Sequence, residues 1–176
     1  MPASEKQLNL PLHMQTLIEQ HQNSLIRFAV GILKRPEVAR EVVQDTFLKY
    51  ISTQSTPDTA GAIKSWLFTV CRNRCFDIIR KEKRMVIMGE QQFEMQSREP
   101  APPRLMQENE QLNLVLNALD DLPTNQQEAI RLKFQNGFSY KQIAKITGHS
   151  VSNVGFLIHS GMSKLKARFA STEACN

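Results

Sequence analysis

Glycine, proline and cysteine are scarce in this chain of 176 residues, and each scarcity excludes a class of protein. Seven Gly and eight Pro are too few for a collagen-like chain or a turn-rich all-β fold. Three Cys, an odd number without a CxxC pair, argue against a disulfide scaffold and fit a reducing compartment. No run approaches the ~18 uncharged apolar residues of a membrane span, so no membrane partner is expected.

Residues 1–6 lack the basic-then-apolar pattern of a secretory segment, so no secretory signal is expected. Hydrophobic residues make up 41% and charged residues 22%, which is typical of a globular protein. These features predict a cytoplasmic protein with one domain or two small ones.

Positive charge is in excess, and basic and acidic residues are concentrated in separate segments of the chain. The net charge is +5. Residues 64–84 hold seven basic and two acidic side chains, residues 85–121 two and seven, and residues 122–170 seven basic and only Glu128. Two basic blocks separated by an acidic one indicate two contacts on one polyanion, with a connector that stays off it. The alternative is a set of solvated helix faces.

Apolar spacing is helical along nearly the whole chain. It predicts helices over roughly 13–34, from Pro36 through Ile51, and from Ile63 through Arg84, with a polar loop in between at 52–61. We therefore predict an all-α fold of two small helical bundles joined by a flexible linker, the C-terminal one containing a helix-turn-helix. The expected domains are residues 10–86, a proline-rich linker at 87–104, residues 105–170, and a tail at 171–176.

Helix-start signals mark the second bundle. Thr124 with Gln127, three residues later, predicts a capping box. A second capping box is predicted at Ser139 by the same spacing, Gly148 can supply a turn with positive φ, and Ser150 can cap the last helix. The predicted inner stripe of that helix comprises Val151, Val154, Ile158, Leu165 and Phe169.

The outward face of the last helix predicts a DNA reader rather than a plain helical hairpin. An Asn such as Asn153 can pair bidentately with adenine in the major groove. Phosphate contacts would come from helix N-termini and from Lys141, Lys145, Lys164 and Lys166. The predicted DNA-binding residues of this unit are Lys141, His149, Ser150, Ser152, Asn153, Phe156, Ser160 and Lys164, with His159 on the flank.

Four segments of the sequence resemble, in order, segments of one protein family. They are residues 37–48 (EVAREVVQDTFL), 66–81 (WLFTVCRNRCFDIIRK), 118–123 (ALDDLP) and 137–144 (GFSYKQIA). In this order the chain resembles the small two-domain sigma factors of the extracytoplasmic-function group, subunits that direct bacterial RNA polymerase to promoters.

The resemblance implies a mechanism without catalysis, cofactor or metal. The first domain would dock on the β′ clamp of core RNA polymerase and capture unpaired bases of the −10 element, and the second would read the −35 element as duplex near the β flap. The residues implied at the −10 element are Lys64, Arg72, Asn73, Arg74, Arg80, Lys81 and Arg84. Those implied at the polymerase are Glu37, Arg40, Glu41, Gln44 and Asp45.

This sequence departs from the family's pattern in two places. The family's clamp helix usually carries an acidic cluster at the positions of residues 38–41, where only Glu41 is acidic here. Its recognition helix usually has basic residues at the positions of Gly155, Leu157 and Ser160.

The first departure suggests regulation by phosphorylation, since a phosphoryl group adds about −1.5 to −2 charges. A Ser/Thr kinase would then supply the missing acidity, and an anti-sigma factor is the alternative regulator. The candidate acceptors are Ser52, Thr53, Ser55, Thr56 and Thr59, which otherwise serve as loop-forming residues.

Rival interpretations remain open at this stage. A stand-alone helix-turn-helix regulator would use only the second domain for DNA, and a serine recombinase would need a catalytic first domain. Cys71 and Cys75 share a helix face but have no evident further metal ligand, so core thiols are expected. Trp66 and Phe76 are either stacking platforms for bases or core residues, and their spacing favours the core.

Overall fold

The protein is described by a computed structural model over residues 12–53, 57–88 and 110–173. Within these ranges all regular secondary structure is helical, which confirms the predicted all-α class. The helices are α1 (Leu12–Leu33), α2 (Pro36–Ser52), α3 (Ala60–Ile87), α4 (Glu110–Asp120), α5 (Thr124–Ile130), α6 (Tyr140–Thr147) and α7 (Val151–Glu173), and a π-helical turn (Arg131–Gln135) continues α5. Residues 12–88 are the first half below and 110–173 the second. Nearly all of the predicted linker lies outside the described residues.

The first half packs three helices around one apolar core. Leu25 and Phe28 on α1 are fully buried against Val42 on α2 and against Leu67 and Phe68 on α3. These positions recur at helical spacing in the sequence, so one stripe of each helix faces the others. The bundle presents the opposite faces of α2 and α3 to solvent.

The connections of the first bundle follow from single residues. Lys34 adopts a left-handed conformation (φ 58°), which reverses the chain after α1. Pro36 then occupies the first position of α2 as predicted, because its missing N–H has no helical partner there. The apolar series of α2 was predicted to run to Ile51, but Ile51 is 46% exposed, since the last turn of α2 extends beyond the core.

The start of α5 differs from the sequence-based prediction. The prediction of a capping box at Thr124 is wrong, because the N-cap residue is Pro123, whose side chain makes no capping hydrogen bond, and Thr124 is the first residue of the helix. The Gln127 amide instead donates to the carbonyl oxygens of Asp120 and Leu122, at 2.9 and 2.7 Å. Gln127 therefore fastens the α4–α5 turn rather than the helix start.

The helix-turn-helix forms where the sequence predicts it. Ser139 and Gln142 make both hydrogen bonds of the capping box, and Gly148 ends α6 in the left-handed conformation (φ 76°). The Ser150 hydroxyl accepts a hydrogen bond from the Asn153 backbone N–H at 3.1 Å, so it caps α7. All three local predictions are confirmed.

The inner stripe of α7 begins one turn later than predicted. Val154, Ile158 and Leu165 are buried, whereas Val151 in the first turn is 44% exposed. Leu157 is buried, although comparison with the family had placed it among positions that are usually basic. An added Cβ at Gly161 would lie 2.6 Å from Ile130, so this glycine lets α7 cross α5 closely.

The two halves share one apolar cluster. Phe68 on α3 contacts Phe28 within its own bundle and Phe138, just before α6, with ring centroids 5.2 and 5.0 Å apart. All three rings are fully or almost fully buried. The second half therefore lies directly on α1 and α3. No helix in the described parts of the chain is long and apolar enough to cross a membrane.

Candidate nucleic-acid interface

The C-terminal part of α3 presents a basic face to solvent. Arg74, Arg80, Lys81 and Arg84 are all exposed, as is Asn73. Two shallow grooves follow this face. The first, of about 400 Å³, is lined by Arg72, Asn73, Phe76, Asp77 and Arg80. The second, of about 470 Å³, is lined by Arg74, Asp77, Ile78, Arg80, Lys81, Glu82, Arg84 and Met85.

Two acidic neighbours reduce the positive charge of this face but do not neutralise it. Asp77 accepts a hydrogen bond from Arg80 at 3.0 Å, and Asp45 lies 3.5 Å from Arg74. Both pairs are more than half exposed, so each contributes little stability and can be exchanged for another anion. The face can therefore bind the phosphates of a nucleic-acid strand.

The remaining two predicted −10 cations lie elsewhere on α3, under the second half. Arg72 makes a double hydrogen bond to Glu128 on α5, with Nε–Oε1 2.5 Å and Nη2–Oε2 3.2 Å. Lys64 Nζ donates to the Asn136 carbonyl oxygen at 2.5 Å and lies 4.8 Å from the centroid of the Phe138 ring. The predicted set of cations is thus divided between an open and a covered region, and Arg72, which also lines the first groove, lies at the boundary between them.

The aromatic residues of α3 take structural roles. Trp66 is half-buried and packs edge-on against Tyr50 of α2, with ring centroids 5.5 Å apart. Phe76 is half-buried beneath Arg72, whose guanidinium carbon lies 4.6 Å from the ring centroid. A cation above an aromatic face is attracted by the ring's quadrupole. Phe76 therefore supports Arg72.

The two cysteines of α3 are core residues. Cys71 and Cys75 are both fully buried. A hydrogen bond with Cys75, together with burial, raises the pKa of the Cys71 thiol well above its ordinary value. A thiol with a raised pKa is a poor nucleophile. The burial of both side chains confirms the prediction of core thiols.

The recognition face of α7 has the predicted exposed residues. Ser150, Ser152 and Asn153 are exposed near the helix N-terminus, and Phe156 is 67% exposed. Ser160 departs from this pattern, since it is half-buried and its hydroxyl accepts a hydrogen bond from Gln126 at 3.2 Å. Of the flanking residues, Lys141, Lys164 and His159 are exposed, whereas His149 is half-buried.

The exposed face of α2 contains the predicted polymerase-binding residues, namely Glu37, Arg40, Glu41, Gln44 and Asp45. Sequence reasoning missed Leu48 and Ile51, which continue the same helical stripe and are 51% and 46% exposed. The spacing of seven residues from Glu41 to Leu48 contained that signal. Ala39 is fully buried, so only part of the 38–41 cluster can face a partner.

Three of the candidate phosphorylation sites lie in described residues. Ser52 is exposed, and Thr53 is half-buried with its hydroxyl donating to the Lys49 carbonyl oxygen at 2.6 Å. Thr59 is exposed and caps α3 by accepting from the Ala62 backbone N–H at 3.3 Å. Ser55 and Thr56 lie outside the described residues.

Comparison with known families assigns both halves. The family described as Sigma-70 region 2 matches residues 17–85, and the family described as Sigma-70, region 4 matches residues 112–165. Because the matches include the first half, they favour a sigma factor over both a stand-alone helix-turn-helix regulator and a recombinase.

Curated relatives and solved structures agree with this assignment. The ECF RNA polymerase sigma factor SigM of Bacillus subtilis is 26% identical, over 87% of this chain and 93% of that protein. EcfG of Rhodopseudomonas palustris, also named as an ECF RNA polymerase sigma factor, is 29% identical over 82% and 78%.

Among solved structures, the sigma factor RpoE of Bartonella quintana, in complex with the anti-sigma factor NepR, superposes with a TM-score of 0.74 and 26% identity, covering 88% of this chain and 95% of that one. CnrH, solved with the cytosolic domain of CnrY, has the same fold (TM-score 0.61, 22% identity, 90% and 88% covered). Proteins of this kind regulate transcription. The chain belongs to the extracytoplasmic-function group of sigma factors, which give RNA polymerase its recognition of promoters.

Proposed function

We propose that α2 docks on the β′ clamp of core RNA polymerase, that α3 holds the melted −10 strand, and that α6 and α7 read the −35 element near the β flap. The observation that carries this proposal is the exposed basic face of α3, whose two grooves bring Arg74, Arg80, Lys81 and Arg84 together. A strand of unpaired DNA presents one phosphate per nucleotide, which this row of cations matches.

The −35 contact is argued from the start of α7. Exposed Ser152, Asn153 and Phe156 lie in the first two turns, where a recognition helix meets base edges. Asn153 can read adenine, and the Phe156 ring can meet a thymine methyl group. Since Leu157 is buried, its lack of charge does not affect DNA binding.

The polymerase contact is argued from the exposed stripe of α2. Glu37, Glu41 and Gln44 alternate in this stripe with Arg40 and lead to Leu48 and Ile51. Such a mixed stripe gives apolar contact area at one end and a weak negative charge at the other. Against a basic clamp, Arg40 opposes binding because like charges repel.

Phosphorylation of the 52–59 segment would offset that deficit. Thr59 is exposed and lies at the N-terminal end of a 28-residue helix, where a phosphate is compatible with the helix dipole. Ser52 is also exposed, at the C-terminal end of α2 next to Ile51, so a phosphate there would add negative charge at the apolar end of the stripe, although the helix dipole disfavours an anion at that end. We propose Thr59 and Ser52 as the first acceptors to test.

Binding to core polymerase tests the regulatory part of the proposal. Affinity is measured for the wild type, for Ser52→Asp and Thr59→Asp variants, for the matched Ala variants, and for protein treated with a Ser/Thr kinase. The Asp variants and the kinase-treated protein should bind more tightly than the Ala variants, because they add negative charge beside α2. Equal affinities throughout would remove phosphorylation from the account and leave the promoter contacts to be tested by transcription.

A further inference from the structure

The second half covers the part of α3 that contains Lys64 and Arg72. Both residues belong to the set assigned to the −10 strand, and both instead contact the second half. Arg74 lies only two residues beyond Arg72 on the same helix and is exposed. The boundary of the contact between the halves thus runs through the proposed DNA-binding face.

The Arg72–Glu128 pair has the geometry of an anion site. Both carboxylate oxygens of Glu128 accept from the guanidinium, and the Glu128 side chain is only 2% exposed. Glu128 is also the only acidic residue in the sequence between 122 and 170. The single carboxylate of this basic segment therefore lies against a cation of the first half, 56 residues away in sequence.

Contacts around this pair complete the interface. Lys64 is held by the Asn136 carbonyl oxygen and the Phe138 ring. At the edge, Lys34 lies 2.7 Å from Asp120 on α4. An added Cβ at Gly31 would lie 2.9 Å from the Arg131 side chain, so this glycine lets the second half approach α1 closely.

We propose that the second half and the promoter strand compete for this one face of α3, with the Glu128 carboxylate occupying the position of a strand phosphate on Arg72. The proposal rests on the proposed function, since it takes the cations of α3 to be the contacts of the −10 strand. The closed arrangement then limits DNA binding by the free protein, and release of the second half completes the set of cations.

The exchange is chemically matched. A guanidinium donates two parallel hydrogen bonds to a carboxylate or to a phosphate in the same bidentate geometry. Burial raises the pKa of the Glu128 carboxyl, and the Arg72 hydrogen bond and charge only partly oppose this shift. The ionised carboxylate is therefore held in the interface at a net cost. A strand can displace it, because its further phosphates bind Arg74, Arg80 and Arg84 at the same time.

Linkage makes the competition measurable. If closing and strand binding exclude each other, a change that opens the protein tightens strand binding in proportion to the increase in the fraction of open protein. Coupling of this kind amounts to about 5- to 150-fold in affinity. Two full-length variants should open the interface by different means. Gly31→Leu inserts a side chain where Arg131 lies and does not change the charge. Glu128→Lys places a cation against Arg72.

The test combines shape with affinity. Small-angle X-ray scattering reports the radius of gyration, and fluorescence anisotropy reports binding of an oligo(dT) strand of about 12 nucleotides, a length within the range that single-strand binding sites cover. Glu19→Lys, at an exposed position of α1, is the control because it changes the net charge as Glu128→Lys does. Circular dichroism verifies that each variant keeps its helices.

We expect both interface variants to have a larger radius of gyration and to bind the strand about fivefold or more tightly than the wild type and the control. Opened variants with unchanged affinity would overturn the proposal, and so would folded variants that stay compact. If Glu128→Lys fails to fold, Gly31→Leu alone decides.

Transcription with core polymerase is run in parallel. Failure there with all proteins would contradict the proposed function, whereas normal transcription with equal strand affinities would contradict only the competition.

Discussion

The two ends of α3 show how one helix uses the same residue type in two ways. Towards its N-terminus, Lys64 and Arg72 are held by a carbonyl oxygen, an aromatic ring and a buried carboxylate of the second half. Towards its C-terminus, Arg80, Lys81 and Arg84 are exposed. The sequence shows one basic block from 64 to 84, and the structure divides it into a covered and an open region.

The difference between these regions is one of partners rather than of side chains. A cation in the covered region loses water and is compensated by fixed neighbours, so its replacement changes the contact between the halves. A cation in the open region keeps its water and is available to a polyanion, so its replacement changes binding and leaves folding nearly unaffected. The following predictions separate the two regions on that basis.

The largest effect is expected for Phe68→Ala at the centre of the covered region. Phe68 is fully buried between Phe28 and Phe138, and removing such a ring costs about 3–5 kcal/mol. Chemical denaturation measures the loss in free energy of unfolding. Phe76→Ala is the matched control, since Phe76 is only half-buried and its loss should cost clearly less. Equal costs would contradict the placement of Phe68 in a shared core.

The next effect is expected in the open region, for the double variant Arg80→Glu with Lys81→Glu. Reversing two exposed cations should weaken transcription from a −10-dependent promoter by about tenfold or more, equivalent to about 1.4 kcal/mol or more, while the free energy of unfolding changes little. Arg27→Glu, at an exposed position of α1, provides a charge-reversal control. Equal transcription by both proteins would show that this face does not bind the promoter.

A smaller, pH-dependent effect is expected at Glu128. Burial raises its pKa above the ordinary value of 4.5, against the hydrogen bond and charge of Arg72 and the charge of His149. The folded, closed protein therefore binds more protons at this group than the unfolded chain. Its contribution to stability is greatest at or below the ordinary pKa and declines as pH rises towards the raised value.

Glu128→Gln should remove this part of the pH dependence, because the amide cannot ionise but can still accept from Arg72. Thermal unfolding across a pH series measures the change. A pH profile identical to that of the wild type would mean that Glu128 is not held in the buried pair. Glu41→Gln, at an exposed position of α2, is the control for loss of one carboxylate.

The smallest effect is expected for Asp77→Asn in the open region. Asp77 lines both grooves and pairs with Arg80 at the surface, where such pairs contribute about 0.3–0.5 kcal/mol or less. Stability should be nearly unchanged, and binding of an oligo(dT) strand should tighten slightly because a negative charge leaves the grooves. Weaker strand binding by this variant would contradict the role of the grooves.

Local features were predictable from the sequence, and long-range ones were not. The caps at Ser139 and Ser150 and the left-handed Gly148 depend on residues within a few positions, so spacing alone predicts them. Thr124 is the first residue of α5 rather than its cap, and Gln127, its expected partner, donates to carbonyl oxygens of the preceding turn. That choice depends on how α4 and α5 meet, which no local pattern contains.

The contacts of the covered region could not be predicted from the sequence for the same reason. In the sequence, Glu128 is only the single acidic residue of one basic segment, and its partner Arg72 is one of seven cations in the other basic segment. Nothing in either segment specifies the pairing. Gly31 likewise gave no signal in the sequence, because its smallness matters only where Arg131 crosses α1.

Mapping of transcription start sites in vitro tests the central claim most directly. Core RNA polymerase is supplied with genomic DNA of the source organism, with and without this protein in its unmodified, Asp-substituted and kinase-treated forms. The account predicts a defined set of new start sites with shared −10 and −35 sequences, which the Arg80→Glu, Lys81→Glu variant no longer supports. Unchanged start sites with every form of the protein would contradict it.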